Sequence, residues 1–187
     1  ESVLQFAKAH GREKVSFVSS GVGIEKVGRI RPRNVSGQLT FGYMGSLNPS
    51  KLHPQFVEYL SQVDIENFCI NIWGEEAYGE RLKLEFTKRG KPGLMRFHGY
   101  TTEPGLTLRQ IDVFVYLLHP FHYGTAENVL LEAMSVGAVP IVMNNPAETA
   151  IVDHRETGFI VNGCKELVDT LIWLSDNPWE RLRIGRN

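Results

Sequence analysis

Residues 122–143 read HYGTAENVLLEAMSVGAVPIVM, a stretch that predicts an amphipathic helix followed directly by an apolar strand. Four apolar residues share one face of the predicted helix: Val129, Leu130, Ala133 and Met134. Gly137 is placed to end the helix, and the run VPIVM follows with no polar alternation. A strand that is apolar throughout is typical of a parallel sheet with both faces covered.

Short apolar runs alternate with longer amphipathic stretches over the rest of the chain after residue 40. The pattern predicts strands at residues 40–44, 68–73, 94–97, 113–116, 139–142 and 158–161. It predicts helices at residues 54–63, 77–87, 126–136 and 165–175, with a last helix after Pro178. This order predicts an α/β, Rossmann-like fold, with a doubly wound, mainly parallel sheet flanked by helices.

Residues 1–39 do not follow this alternation. They hold one strand-like run, KVSFVSS, and then a stretch rich in Gly and Arg, so we expect a hinge or entry segment here and one domain over residues 40–187. The run SSGVGIEKVG has Lys26 where a dinucleotide fingerprint needs its third glycine, so its glycines are expected to form turns. The helical pattern continues into the last residues, RLRIGRN, which predicts that the chain is cut from a longer protein.

The composition excludes several classes of partner. With 20 Lys plus Arg against 21 Asp plus Glu, no overall charge attracts the chain to nucleic acid or to an anionic membrane. No apolar run approaches the ~20 residues of a membrane span. Cys69 and Cys164 have no metal-ligand spacing and are expected to be buried thiols of a reducing, cytoplasmic compartment. Peripheral contact with a membrane through a further domain stays open.

The stretch FGYMGSLNPSKLHPQFVEYL predicts a strand, a polar loop and a helix. A loop after a parallel strand lies at the carboxyl edge of the sheet, where open α/β folds bind their ligands. Lys51 in this loop is a candidate phosphate ligand. The alternative is a solvated lysine beside a turn at Asn48 and Pro49.

The helix predicted at residues 126–136 begins at the same edge. Thr125 is a candidate N-cap, and a helix N-terminus offers free N–H groups and a partial positive charge to a phosphate. Glu132 follows two turns in, away from the centre of the apolar face. The alternative is that Glu127 only complements the helix dipole and Glu132 only faces solvent.

His119 and His122 are three residues apart in HPFHYG and form the one candidate metal pair that the pattern offers. A third ligand is not in register, and Pro120 precludes a regular helix there. No G-x-S-x-G motif supports a catalytic serine. We therefore expect neither a metal nor another cofactor.

Five stretches resemble, in order and with natural spacing, the C-terminal, donor-binding domain of the retaining group 1 glycosyltransferases of GT-B architecture. They are VSSGVGIEKV, YMGSLNPSK, RFHGYT, NVLLEAMSVGAVPIV and NPAETAIVDHRETGFIV, and together they cover nearly the whole chain. The resemblance implies a hinge in the first, a loop for the donor diphosphate in the second and the nucleobase edge in the third. In the fifth it implies the family's acidic residue at Glu148.

The resemblance also implies a donor site. Its implied members are Gly45, Ser46, Lys51, Tyr100, Gly124, Thr125, Glu127, Asn128, Val129 and Glu132. Lys51 and Glu132 are its implied catalytic residues: Lys51 and the helix N-terminus stabilise the leaving diphosphate without a metal, and Glu132 orients the ribose. Backbone groups near Tyr100 hold the base.

Two positions depart from the family's pattern. Ser46 stands where the family has an arginine, and Gly124 stands where it has the first of two glutamates separated by seven residues. Glu127 is a candidate substitute for the missing glutamate. These departures put the strength of the donor contacts in question.

The implied function is transfer of a sugar from a UDP- or GDP-sugar to an acceptor with retention of anomeric configuration. An N-terminal domain of the same protein would supply the acceptor site, so the chain by itself is expected to bind donor without turning it over. One alternative is a sugar-nucleotide 2-epimerase-like domain, which the missing carboxylate at Gly124 does not support. Another is a non-catalytic nucleotide-binding or interaction module, which Ser46 and Gly124 fit.

Overall fold

A computed structural model describes residues 39–122 and 128–187. Within these residues the sheet has six strands: β1 (Phe41–Met44), β2 (Ile70–Trp73), β3 (Met95–Phe97), β4 (Val113–Tyr116), β5 (Val139–Met143) and β6 (Phe159–Val161). Their order is β3-β2-β1-β4-β5-β6, and every neighbouring pair is parallel. This confirms the predicted doubly wound, Rossmann-like α/β fold.

The helices of the same ranges connect these strands. They are α1 (Phe56–Leu60), α2 (Glu76–Lys88), α3 (Pro104–Leu108), α4 (Asn128–Ser135), α5 (Pro146–Thr149), α6 (Cys164–Asp176) and α7 (Pro178–Ile184). A 3-10 turn at Pro92–Leu94 leads into β3. Helix α1 contacts both α2 and α6, while α3 contacts α4, so the helices form two packed groups around the sheet.

Strands β4 and β5 lie in the middle of the core. Every residue of VFVY and of VPIVM is buried, which explains why neither run shows polar alternation. Tyr43 of β1 is also fully buried and stacks against Phe114 and Tyr116, with ring centroids 6.5 and 5.8 Å away. Its hydroxyl donates a hydrogen bond to the Ser46 carbonyl at 2.7 Å, so the core holds the loop that leaves β1.

The topology places a crevice beside β1. From β1 the chain moves outward to β2 and β3, and then returns to β4 on the other side of β1. The connections that leave β1 and β4 therefore diverge at the carboxyl edge of the sheet. Such a switch point is where ligands of open α/β folds bind.

The predicted elements differ from the structure in a few places. Helix α1 is shorter than the predicted 54–63 because residues before it form a turn, in which the Phe56 N–H bonds to the His53 carbonyl. The short helices α3 and α5 were not predicted, since five and four residues are too few to show a helical period. Cys69 and Cys164 are half-buried free thiols, less enclosed than expected.

Several sequence predictions fall outside the described residues. They include most of the hinge segment at 1–39, the glycine run within it and the start of the helix predicted at 126–136. In the two ranges that the structure covers, no helix has the length and apolar character needed to cross a membrane.

Gly158, just before β6, lies where the chain packs closely against Pro140 of β5. A Cβ there would lie 2.5 Å from the Pro140 ring and 2.8 Å from the Pro140 carbonyl oxygen, closer than real Cβ atoms come to such groups, so the neighbours would have to shift. We expect Gly158→Ala to lower the free energy of unfolding by about 1–3 kcal/mol in urea denaturation. Gly93→Ala is the control, because a Cβ at Gly93 meets nothing within 4 Å. Equal losses in both variants would contradict this packing.

Candidate functional site

A cavity of 550 Å³ opens at the carboxyl edge of the sheet. Three loops and one helix form its wall, and each contributes neighbouring residues. They are Met44, Gly45 and Ser46 at the end of β1 and just after it; Trp73, Gly74 and Glu75 at the end of β2 and just after it; Tyr100, Thr101, Thr102 and Pro104 after β3; and Asn128, Val129 and Glu132 of α4. The cavity therefore lies at the place that the topology predicts for a ligand.

The structure brings together six of the ten site residues that the sequence suggested. Lining the cavity are Gly45, Ser46, Tyr100, Asn128, Val129 and Glu132. Lys51 is not part of this wall, and Gly124, Thr125 and Glu127 lie outside the described residues. Seven wall residues were not predicted as site residues: Met44, Trp73, Gly74, Glu75, Thr101, Thr102 and Pro104.

The loops after β1 and β2 meet backbone to backbone. The Gly45 N–H donates to the Trp73 carbonyl at 3.1 Å. A Cβ at Gly74 would lie 2.6 Å from the Gly45 carbonyl oxygen, so the approach of the two loops requires glycine at this position. Gly45 itself has φ of 149°, a conformation that favours glycine. The floor of the cavity is consequently built from closely packed backbone.

Glu75 links the same two loops through its side chain. Its Oε1 accepts a hydrogen bond from the Ser46 hydroxyl at 2.8 Å, and its Oε2 accepts one from the Leu47 N–H at 2.7 Å. Partial burial by itself raises the pKa of Glu75, but the backbone N–H groups of Leu47 and Glu75 and the Ser46 hydroxyl outweigh it and lower the pKa. The carboxylate is therefore ionised at neutral pH.

An aromatic group borders the cavity beside β2 and β3. The Trp73 and His98 rings stack with centroids 4.6 Å apart, and His98 Nε2 lies 2.8 Å from Asn71 Oδ1. Burial, helped by nearby Arg96, lowers the pKa of His98, so its ring is neutral at neutral pH. Tyr100 at the rim is 85% exposed. Trp73 and Tyr100 give the wall two uncharged aromatic side chains, which suit a planar ring.

Glu132 faces these loops from the second turn of α4. It is half-buried, and burial raises its pKa. A carboxylate accepts hydrogen bonds only, and the amide of Asn128, one turn earlier, also contributes to the wall. The two side chains together suit a ligand that carries hydroxyl groups.

Lys51 lies on the β4 side of the switch point. The His119 N–H donates to the Lys51 carbonyl at 2.8 Å, and Leu52 forms an antiparallel bridge with Leu118, so the backbone here is tied to the end of β4. The Lys51 ammonium lies 5.9 Å from the centre of the Tyr116 ring. Its charge is thus near the segment that leads from β4 to α4.

A buried histidine–carboxyl contact involves His122, in the loop that follows β4. His122 Nε2 is 2.9 Å from Glu148 Oε1, and the two side chains are 4% and 0% exposed. His119 has a different contact, since its Nδ1 accepts the Phe121 N–H at 3.0 Å. In the described parts of the chain, no group of three or more His, Cys, Asp or Glu could hold a metal ion. The pair joins the end of β4 to α5.

The sequence matches a known family over most of its length. Residues 28–187 match the model of the family described as glycosyl transferases group 1, and the chain belongs to this family. No curated protein matches it significantly.

Solved structures of glycosyltransferases share the fold. The C-terminal domain of LpcC, a glycosyl transferase group 1 family protein from Francisella tularensis, matches with a TM-score of 0.73 at 19% identity, covering 89% of this chain and 94% of that one. A glycosyltransferase from Rickettsia africae matches with a TM-score of 0.75 at 14% identity, covering 97% and 55%. HepE from Anabaena, in complex with UDP-glucose, matches with a TM-score of 0.69 at 19% identity, covering 82% and 43%.

These structural matches show that the chain shares the fold of GT-B glycosyltransferase domains. The chain spans less than half the length of HepE and 33% of the length of a matched TarM structure.

The buried pair predicts a large effect of His122 on stability. His122 Nε2 lies 2.9 Å from an oxygen of the fully buried Glu148 side chain, and taking a partner from a buried polar group costs about 1–3 kcal/mol. We expect His122→Ala to lower the free energy of unfolding by about 1–3 kcal/mol in urea denaturation. His122→Gln should lose less, since its amide can still donate to Glu148. Equal stability of His122→Ala and the wild type would contradict the pairing.

Proposed function

We propose that the chain is the C-terminal, donor-binding domain of a retaining, metal-independent glycosyltransferase that takes its sugar from a UDP- or GDP-sugar. One observation carries the proposal: in a member of the group 1 family, the cavity at the switch point brings Glu132 of α4 opposite the loops after β1, β2 and β3. The cavity volume lies within the ~300–1,000 Å³ range of small-molecule sites.

The nucleoside is proposed to occupy the described cavity. The base would be held by the aromatic side chains of Trp73 and Tyr100 and by the backbone of the loop after β3. Glu132 and Asn128 would bind the ribose hydroxyls from the other side. Supporting this, every side chain in the described wall is uncharged except Glu75 and Glu132, so the wall suits a neutral group that donates hydrogen bonds.

The diphosphate is proposed to lie on the Lys51 side of the switch point, beyond this wall. Negative charge builds on the bridging oxygen as the sugar leaves, and a cation placed there gains most in the transition state. Among the described residues, Lys51 is the candidate for this task, because its backbone is tied to the segment just after β4. Gly124, Thr125 and Glu127, and the start of the helix beside them, remain proposed ligands from the sequence.

The proposed donor and domain partner follow from the relatives. The HepE structures contain UDP, UDP and glucose, or UDP-glucose, which supports a uridine nucleotide for this chain as well. The chain covers 43% of HepE, so a second domain is proposed to supply the acceptor site and further catalytic residues. On this proposal the 187-residue chain binds a donor but does not transfer its sugar.

Glu132 provides the first test of the donor site. In calorimetry with UDP, GDP, UDP-glucose and GDP-mannose, at least one nucleotide should bind the wild type. Glu132→Ala should weaken that binding by about 1.5–3 kcal/mol, the size of a hydrogen bond to a charged group. Glu66→Ala is the matched control, since Glu66 is exposed and lies before the amino end of β2. Failure of every nucleotide to bind the wild type would overturn the proposal.

Lys51 provides a second test, which separates phosphate binding from nucleoside binding. Lys51→Ala should weaken UDP binding by about 1 kcal/mol or more, as expected for a lost charge-assisted contact. It should leave uridine binding unchanged, because uridine has no phosphate. Lys91→Ala is the control, because Lys91 is exposed before the amino end of β3. Equal weakening of UDP and uridine would show that Lys51 supports the fold rather than the diphosphate.

A further inference from the structure

Glu75 holds the loop that leaves β1 in a defined shape. The loop residues Ser46 and Leu47 are 28 or more positions away in sequence, yet both donate to the two oxygens of this one carboxylate. Glu75 lies in the cavity wall beside Ser46, so the contact is part of the candidate site. Neither the family match nor the motifs of the sequence assign a role to Glu75.

The rest of the loop is organised around the same contact. The Ser46 hydroxyl donates to Glu75 and accepts from the Asn48 amide at 2.8 Å, while Asn48 Oδ1 accepts from the N–H and hydroxyl of Ser50. Tyr43 in the core holds the Ser46 carbonyl. The chain of hydrogen bonds thus runs from Glu75 through Ser46 to the residue that precedes Lys51.

We propose that Glu75 is a positioning residue of the donor site, which fixes the loop after β1 so that Ser46 and Lys51 meet the donor in one arrangement. This inference rests on the proposed function. A carboxylate suits the task because both of its oxygens accept hydrogen bonds, as the two donors here require. Glutamine offers one acceptor oxygen and one NH₂ donor, so it can replace the contact only in part.

A competing role for the same carboxylate predicts the opposite result. If Glu75 acted mainly as a negative charge near the diphosphate, removing the charge would tighten nucleotide binding. That gain would fade at high salt, because exposed charges are screened over a Debye length of about 8 Å at physiological ionic strength. A positioning residue instead gives weaker binding after substitution, with little dependence on salt.

The experiment compares Glu75→Ala and Glu75→Gln with the wild-type chain by calorimetry with UDP at two salt concentrations. We expect Glu75→Ala to weaken the affinity for UDP about tenfold, equivalent to 1.4 kcal/mol. Glu75→Gln should weaken this affinity less. Glu76→Ala is the matched control, because Glu76 is an exposed glutamate one residue further along, in the first turn of α2, and is not part of the cavity wall. It should bind UDP within about twofold of the wild type, since exposed substitutions away from such contacts have small effects.

A double-mutant cycle with Ser46→Ala tests whether the two residues act through one contact. Interacting residues give non-additive effects. Ser46→Ala should weaken UDP binding less than Glu75→Ala does, since the Leu47 N–H still reaches the carboxylate. Added to Glu75→Ala, it should weaken binding by less than it does in the wild type. Fully additive effects would overturn the inference.

Hydrogen exchange of the Leu47 N–H, measured by NMR without nucleotide, tests the Glu75 contact independently of the proposed function. The amide should exchange faster in Glu75→Ala than in the wild type or in Glu76→Ala. Unchanged exchange would overturn the contact. Faster exchange with unchanged UDP binding would overturn the positioning role and leave the donor site standing. A wild type that binds no nucleotide would overturn the proposed function, and this inference with it.

Discussion

The parallel pairing of β1 with β2 on one side and β4 on the other is the constraint on which the site depends. Met44 pairs with Trp73, and Gly42 pairs with Phe114, so the three strands run side by side and end at one edge. Because the strands are parallel, their following loops leave from that same edge. Residues as distant in sequence as Met44 and Glu132 are thereby brought to one cavity.

The core and the site are connected through Tyr43. Its ring is buried between aromatic residues of β4 and α1, and its hydroxyl reaches out to the Ser46 carbonyl. Glycines at the ends of β1 and β2 let the two loops pack closely, and Glu75 then joins them by its side chain. The result is a wall with two carboxylates, while Lys51 lies on the β4 side. This separation of charge explains why nucleoside and diphosphate are proposed to occupy different parts of the site.

The sequence predicted those parts of the site that lie within one element. The helical periodicity of the sequence, with the strand that follows it, predicted that Asn128, Val129 and Glu132 lie on a helix at the carboxyl edge. In the structure all three residues line the cavity. The loop after β1 was likewise expected to reach this edge, and Gly45 and Ser46 line the cavity. Glu75 was missed because the run WGEE shows an acidic residue after a strand but not the loop that it contacts. Trp73 was read only as a strand residue.

What the sequence by itself determined is the order and type of the main elements, since apolar period and glycine positions are local properties of the chain. It determined the fold class for the same reason, because apolar strands alternating with amphipathic helices pack stably as a doubly wound sheet. Only the tertiary structure decided that Glu75 holds Ser46 and Leu47, and that His122 contacts Glu148. These contacts depend on side chains from different loops meeting at distances of about 3 Å, which no pattern along a single element specifies.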